Sequence, residues 1–212
     1  MTRTMMYLSF IAVFLAAKHA TSFSQPSASR QLSHKKTTAM NAMHLPSEED
    51  VTTLNGLFNQ QITKEFAASH VYLAASIWCE SHEYSGMASY MREESDEERG
   101  HALALVDFAN KRDIPIELES IPAPINTKWD NLEQMWKDLL QVERDNTQSL
   151  YTVADAAQRC HDHAITTLLM PFHTEQVESE GKLKNILAKV HDENLTPGLV
   201  YSLDAELGSR KV

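Results

Sequence analysis

Residues 87–108 read MASYMREESDEERGHALALVDF, and the spacing within that stretch decides the fold. Met87, Met91, Glu94, Glu98, His101, Leu105 and Phe108 follow one another at steps of four and three, so they line one face of a helix. Both ends of the stripe are apolar, while its middle is occupied by titratable groups. A seam of that kind is built around something other than packing.

Working upstream, Ser47-Glu48-Glu49-Asp50 is a helix-opening signal, a capping hydroxyl followed by acids where the helix dipole favours them. Behind it Val51, Leu54, Phe58, Ile62, Glu65, Ser69, Tyr72 and Ser76 share a face, which predicts a first helix over about 48–82 and a second over about 86–112. Asp113-Ile114-Pro115 stops the second, and residues 113–127, with Pro115, Pro122 and Pro124, read as an extended crossover. Such a connection lets the third helix start at the same end as the second.

The third stripe, Leu132, Trp136, Leu139, Glu143, Asn146, Leu150, Val153 and Ala157, predicts a helix over about 128–157. The fourth, Ile165, Leu169, Phe172, Gln176, Ser179, Leu183, Ile186 and Val190, predicts one over about 160–191, with Pro171 expected to kink it. Leu199 to Leu207 would form a short fifth helix. The expected fold is therefore all-α: an antiparallel four-helix bundle with a long crossover between helices 2 and 3 and a short fifth C-terminal helix.

The seams are interrupted by Glu65, by Glu94, Glu98 and His101, by Glu143 and by Gln176, each near the middle of its helix. Helix direction does not matter at a midpoint, so these groups should meet in one layer. A buried unpaired carboxylate costs several kcal/mol, and no Lys or Arg falls on the seams nearby, so a metal is the expected partner. Oxygen ligands with one imidazole suit iron or manganese, and zinc or calcium remain open. Glu98-Arg99-Gly100-His101 places two ligands on one helix face, a spacing that carries weight only because the seam also holds Glu65 and Glu143.

The N-terminus differs in kind. Residues 1–47 hold no Asp or Glu, and the apolar run Met5 to Ala17 follows Arg3, as in a signal peptide too short to span a bilayer. The Ser- and Thr-rich basic stretch after it has the composition of a transit peptide, and Ala20-Thr21-Ser22-Phe23 resembles the cleavage motif of plastid-targeted proteins in diatom-like algae. We therefore expect residues 1–46 to be a signal peptide plus plastid transit peptide and residues 47–212 to be the bundle domain, with ordinary secretion as the alternative destination. Removing Arg3, Lys18, Arg30, Lys35 and Lys36 leaves 14 basic against 29 acidic residues, a net charge near −15. That balance argues against a nucleic-acid partner, and no membrane association is expected of the mature form. Two cysteines, Cys79 and Cys160, without Cys-x-x-Cys spacing suggest neither a disulfide framework nor a thiolate zinc site.

Three segments, KEFAASHVYLAA (64–75), EESDEERGHA (93–102) and QVERDNTQSL (141–150), resemble the first three helices of the ferritins. The resemblance implies a ferritin-like di-iron bundle of the storage type, because only one Glu-x-x-His is present where symmetric di-iron carboxylate proteins have two. It implies that Glu65, Glu98 and His101 bind a first iron, that Glu98 bridges to a second held by Glu143, that Gln176 hydrogen-bonds nearby, and that Tyr72 stands beside the pair as an electron donor. Glu94, Glu97, Glu175 and Glu178 would form a third iron site, although Ser179 replaces a linking Glu found in some relatives. The implied activity is a ferroxidase that oxidises Fe(II) with dioxygen or peroxide and stores the product as mineral in a hollow shell of about 24 subunits. The alternative is a non-catalytic subunit that only nucleates mineral. Acids that line the three-fold channel of animal ferritins are not matched, since Thr166 and Leu169 fall there; Cys160, His161, Asp162 and His163 are the nearby polar group.

Overall fold

The computed structural model describes residues 45–191 and 196–209, so the segment read as targeting peptide lies outside the described residues apart from Leu45 and Pro46. α1 (Glu48–Ser81) opens on Ser47, whose hydroxyl accepts the Asp50 amide at 3.1 Å while the Asp50 carboxylate accepts the Ser47 amide at 3.3 Å. Two orphan donors of the first turn are thereby satisfied. α2 (Ser85–Lys111) follows after a tight turn, and the pair forms an antiparallel hairpin.

Each of the first three long helices closes in the same way. Glu83 takes a left-handed conformation (φ 65°), which turns the Tyr84 amide back onto the Cys79 carbonyl at 3.0 Å. Asp113 (φ 54°) repeats this after α2, and His161 (φ 54°) repeats it after α3 (Leu132–Arg159). The motif normally uses glycine, and here side-chain-bearing residues bear its steric cost.

α3 starts four residues later than the sequence predicts, because Asn131 stays extended (φ −161°) and its side chain caps the Gln134 amide at 2.9 Å. α4 (His163–Val190) starts three residues late for the same reason, with the Asp162 carboxylate accepting from the Ala164 and Ile165 amides. It continues through Pro171, which withholds one backbone donor without ending the helix. α5 (Pro197–Gly208) begins earlier than predicted, since Thr196 caps it and Pro197 sits at a first-turn position that needs no N–H.

Side-chain contacts fix the arrangement. Trp78 at the end of α1 donates to the Trp129 carbonyl just before α3 at 3.2 Å, and Arg112 at the end of α2 forms a two-pronged ion pair with Asp162 at the start of α4. The crossover is held against the middle of α1 by Asn59, which donates to the Pro115 carbonyl at 2.9 Å and accepts the Glu117 amide at 2.8 Å. Among the described residues, no helix is long and apolar enough to cross a membrane.

The apolar core comes in two halves. One gathers Tyr72, Trp78, Met91, Trp129, Trp136 and Leu183, and the other gathers Phe58, Ile62, Leu105, Leu150, Ile165 and Leu169. Apart from Ser76, the buried polar side chains among the described residues, Gln61, Glu65, Ser69, Ser95, Glu98, Glu143, Asn146, Gln176 and Ser179, come from the middle turns between them.

α5 docks on the start of α2, whose first turn has no cap of its own. The Asp204 carboxylate supplies it, accepting the Gly86 amide at 3.1 Å and the Met87 amide at 2.8 Å. A Cβ on Gly86 would come within 1.9 Å of the Asp204 carbonyl oxygen, so only glycine permits the approach. Gly86→Ala should therefore loosen α5, measured as faster amide hydrogen exchange over residues 199–208. Asp204→Ala, which removes the cap without a clash, should cost about 1 kcal/mol in denaturant unfolding.

Candidate metal centre

Four helices each deliver a polar side chain to the middle layer: Glu65 from α1, Glu98 and His101 from α2, Glu143 from α3 and Gln176 from α4. Glu65 is fully buried, Glu143 is 1% exposed and Glu98 is 5% exposed, so water cannot solvate their charge. Ligand atoms of Glu65, Glu98 and His101 lie within 4.8 Å of one another, and a second such group consists of Glu97, His101 and Glu175. Both groups share His101. Its Nδ1 is 3.6 Å from Glu98 Oε2 and 4.0 Å from Glu65 Oε2, while its Nε2 is 3.1 Å from Glu175 Oε2.

Glu143 belongs to neither three-residue group. Its carboxylate accepts from the Tyr72 hydroxyl and, at 2.8 Å, from Gln176 Nε2, so both residues singled out beside the metal ligands hold the same acid. Glu94 is half-buried and hydrogen-bonded to Tyr90. Glu97 is exposed, and Glu178 is exposed and outside both groups. Ser179, on the fourth seam, is buried.

The electrostatics follow from the burial. Glu65 is held well above the usual carboxylate range by desolvation, with the Glu98 charge adding to the effect. Glu98 and Glu143 are raised mainly by burial, against the neighbouring His101 for Glu98 and against the hydrogen bonds from Tyr72 and Gln176 for Glu143. The Tyr72 phenol is also raised well above its ordinary value, by burial and by Glu143, Glu94 and Glu98, so it remains a donor. Burial alone would lower the His101 imidazole, yet the Glu175 carboxylate in hydrogen-bond contact with it and the nearby Glu98 carboxylate outweigh this and raise it to about 11. These shifts are those of an anionic pocket short of positive charge.

Glu98 Oε2 is buried without a hydrogen-bond donor. A carboxylate oxygen in that condition, beside a second carboxylate and an imidazole, is suited to a cation with a preference for oxygen and nitrogen.

Sequence reasoning missed the residues that hold Glu65. Gln61 Nε2 donates to Glu65 Oε1 at 2.6 Å and to Asn146 Oδ1 at 2.6 Å, and Asn146 Nδ2 donates to Glu65 Oε2 at 3.2 Å. The signal was present: Gln61 lies one turn before Glu65, and Asn146 is the polar member of the third stripe one turn after Glu143. It also missed Lys182, an exposed α4 residue whose charge opposes the raised pKa of Glu94 and Glu97 and helps to lower Glu175. In the loop before α4, Asp162 serves as helix cap and ion-pair partner, and both cysteines are buried free thiols.

Comparison with known proteins agrees with this architecture. The ferritin family, described as a ferritin-like domain, matches residues 55–192. Curated relatives include the bacterial non-heme ferritins of Staphylococcus haemolyticus and Staphylococcus epidermidis, each 32% identical over 72% of this chain and 91% of their own. The solved apo-ferritin of the diatom Pseudo-nitzschia multiseries is 54% identical over 72% of this chain and 97% of its own, with a TM-score of 0.69. Iron-soaked structures of variants of PmFTN match at 53% identity over 73% of this chain and 98% of their own, with a TM-score of 0.70.

Raised carboxylates bind more protons folded than unfolded, so their contribution to stability falls as pH rises above the unfolded carboxylate range. His101, raised to about 11, contributes stability that is complete below its unfolded value near 6.5 and is lost as pH climbs through about 11. Metal-free protein should therefore become progressively less stable from weakly acidic to alkaline pH. Glu98→Gln, which removes one buried charge, should raise metal-free stability at neutral pH by on the order of 1 kcal/mol, read as a higher thermal midpoint. A lower midpoint for the variant would show that the Glu98 charge is compensated within the protein.

Proposed function

The chain belongs to the ferritin family, and on that footing we propose that it is a ferroxidase subunit that converts Fe(II) to Fe(III) in the middle layer of its bundle and passes the product to a stored mineral. The observation that carries this reading is the meeting of Glu65, Glu98 and His101 within one ion's reach, with Glu143 buried in the same layer. Iron is here substrate and cargo. Glu65, Glu98 and His101 would hold a first ion, and Glu98 together with Glu143 a second. Glu97 and Glu175, with Glu94 and Glu178 on the same flank, would receive a third.

The chain's residues account for the chemistry in order. Anionic oxygens favour Fe(III) over Fe(II), so binding in this pocket lowers the cost of giving up an electron. Two Fe(II) ions side by side supply two electrons, and dioxygen that takes them with two protons leaves as hydrogen peroxide. Gln61 and Asn146 keep Glu65 in place, while Tyr72 and Gln176 orient Glu143. Where only one Fe(II) is bound, Tyr72, protonated and fully buried beside Glu143, is positioned to supply the second electron that dioxygen needs and to pass its proton to that carboxylate.

The reading extends to assembly and address. Self-association into a closed shell of about 24 subunits would enclose the mineral. The likeness to a diatom ferritin, together with the composition of residues 1–46, supports a plastid destination reached through the secretory route.

Fe(II) added aerobically to protein beginning near Ser47 should give rapid Fe(III) absorbance, and Glu98→Ala should slow it by at least about tenfold. Equal rates in parent and variant would leave a mineral-nucleating shell without a catalytic centre as the better account.

A further inference from the structure

His101 is the one residue common to both ligand groups, and it presents a different nitrogen to each. Nδ1 faces Glu98 at 3.6 Å and Glu65 at 4.0 Å, whereas Nε2 faces Glu175 at 3.1 Å. An imidazole that ligates a metal ion gives up the proton on the ligating nitrogen, and its single lone pair then serves that one nitrogen while the other keeps its proton. The ring therefore serves one group at a time. Which group it serves depends on the tautomer, and the tautomer depends on what accepts the remaining N–H.

We propose that Glu175 is the positioning residue that makes this choice: by accepting the Nε2–H of His101 it leaves the Nδ1 lone pair aimed at the inner pair Glu65 and Glu98. The inference rests on the metal-centre reading above and deepens it. The ring is held on its other side by Phe172, whose centroid is 5.2 Å away, so rotation about the hydrogen bond is restricted. Glu175 is itself well placed to release its partner. It is 30% exposed and lies beside Glu97, from which it can recruit an incoming ion. An ion gripped by Glu97 and Glu175 would draw the carboxylate from His101 or take the Nε2 lone pair, and either event weakens the inner ion's hold on Nδ1. Inner and outer groups are thus coupled with opposite sign through one imidazole, and arrival of an ion on the flank favours departure of the ion inside.

The test uses Co(II) as an air-stable probe with the assembled protein, following the visible absorption of the bound ion. A Glu98→Gln control identifies the inner signal as the part it abolishes. Glu175→Ala should weaken the inner cobalt site by about 10-fold to 100-fold, the usual effect of removing a carboxylate that orients a metal-bound imidazole. Glu175→Gln, whose amide oxygen still accepts the Nε2–H, should restore inner binding to within about threefold of the parent. With Glu97→Gln, raising cobalt beyond one ion per subunit should no longer disturb the inner spectrum.

Parent-like inner binding in Glu175→Ala overturns the positioning role, as does a Glu175→Gln variant no better than Glu175→Ala. Absence of any Glu98-dependent cobalt signal in the parent is a different failure, since it overturns the metal centre on which the proposal stands. Circular dichroism on each variant separates loss of the ring's orientation from loss of the fold.

Discussion

Three carboxylates share a layer from which water is excluded, and that constraint organises the molecule. Buried acids that repel one another and lack enough basic partners cannot all ionise without a cation. The core is accordingly two apolar clusters separated by a polar middle, rather than one continuous body. Each half packs large aromatic and aliphatic side chains, with Trp136, Phe58, Met91 and Leu105 almost wholly removed from solvent. The halves supply the stability that allows the middle to be unfavourable on its own account.

Within that middle the acids are not equivalent. Glu65 has both oxygens hydrogen-bonded by amide side chains, and Glu143 is held by a phenol and an amide, so their positions are set before any ion arrives. Glu98 is left with an oxygen that receives no hydrogen bond. Two acids preset by hydrogen bonds beside a less constrained third leave a pocket suited to a cation.

Much of the fold was legible because its signal is periodic and redundant. The stripes of α1 to α4 repeat apolar residues at helical spacing over many turns, and tertiary packing had no reason to override them. Helix starts were less legible, since Asn131 and Asp162 act as caps through side-chain geometry that periodicity does not register. Asp204 capping α2 is a long-range contact, and no local pattern announces it. The candidate site was legible where an acid stands on an apolar stripe. It was not where a neutral amide does the holding, because Gln61 and Asn146 carry no charge to mark them as unusual in a helix.

The location of the layer also determines how it is reached. Lying at the helix midpoints, it is as far as possible from both ends of the bundle, where aromatic packing at Trp78 and Trp129 and the Arg112 to Asp162 ion pair close the structure. Glu65 on α1 and Glu143 on α3 are buried. His101 at 18% and Glu175 at 30% side-chain exposure are open on the flank between α2 and α4, where these helices meet through His101 against Phe172 and Glu175. The acids on that flank run from exposed Glu97 through partly buried Glu175 to buried Glu98. Negative charge along that flank attracts cations, and burial strengthens such attraction inward.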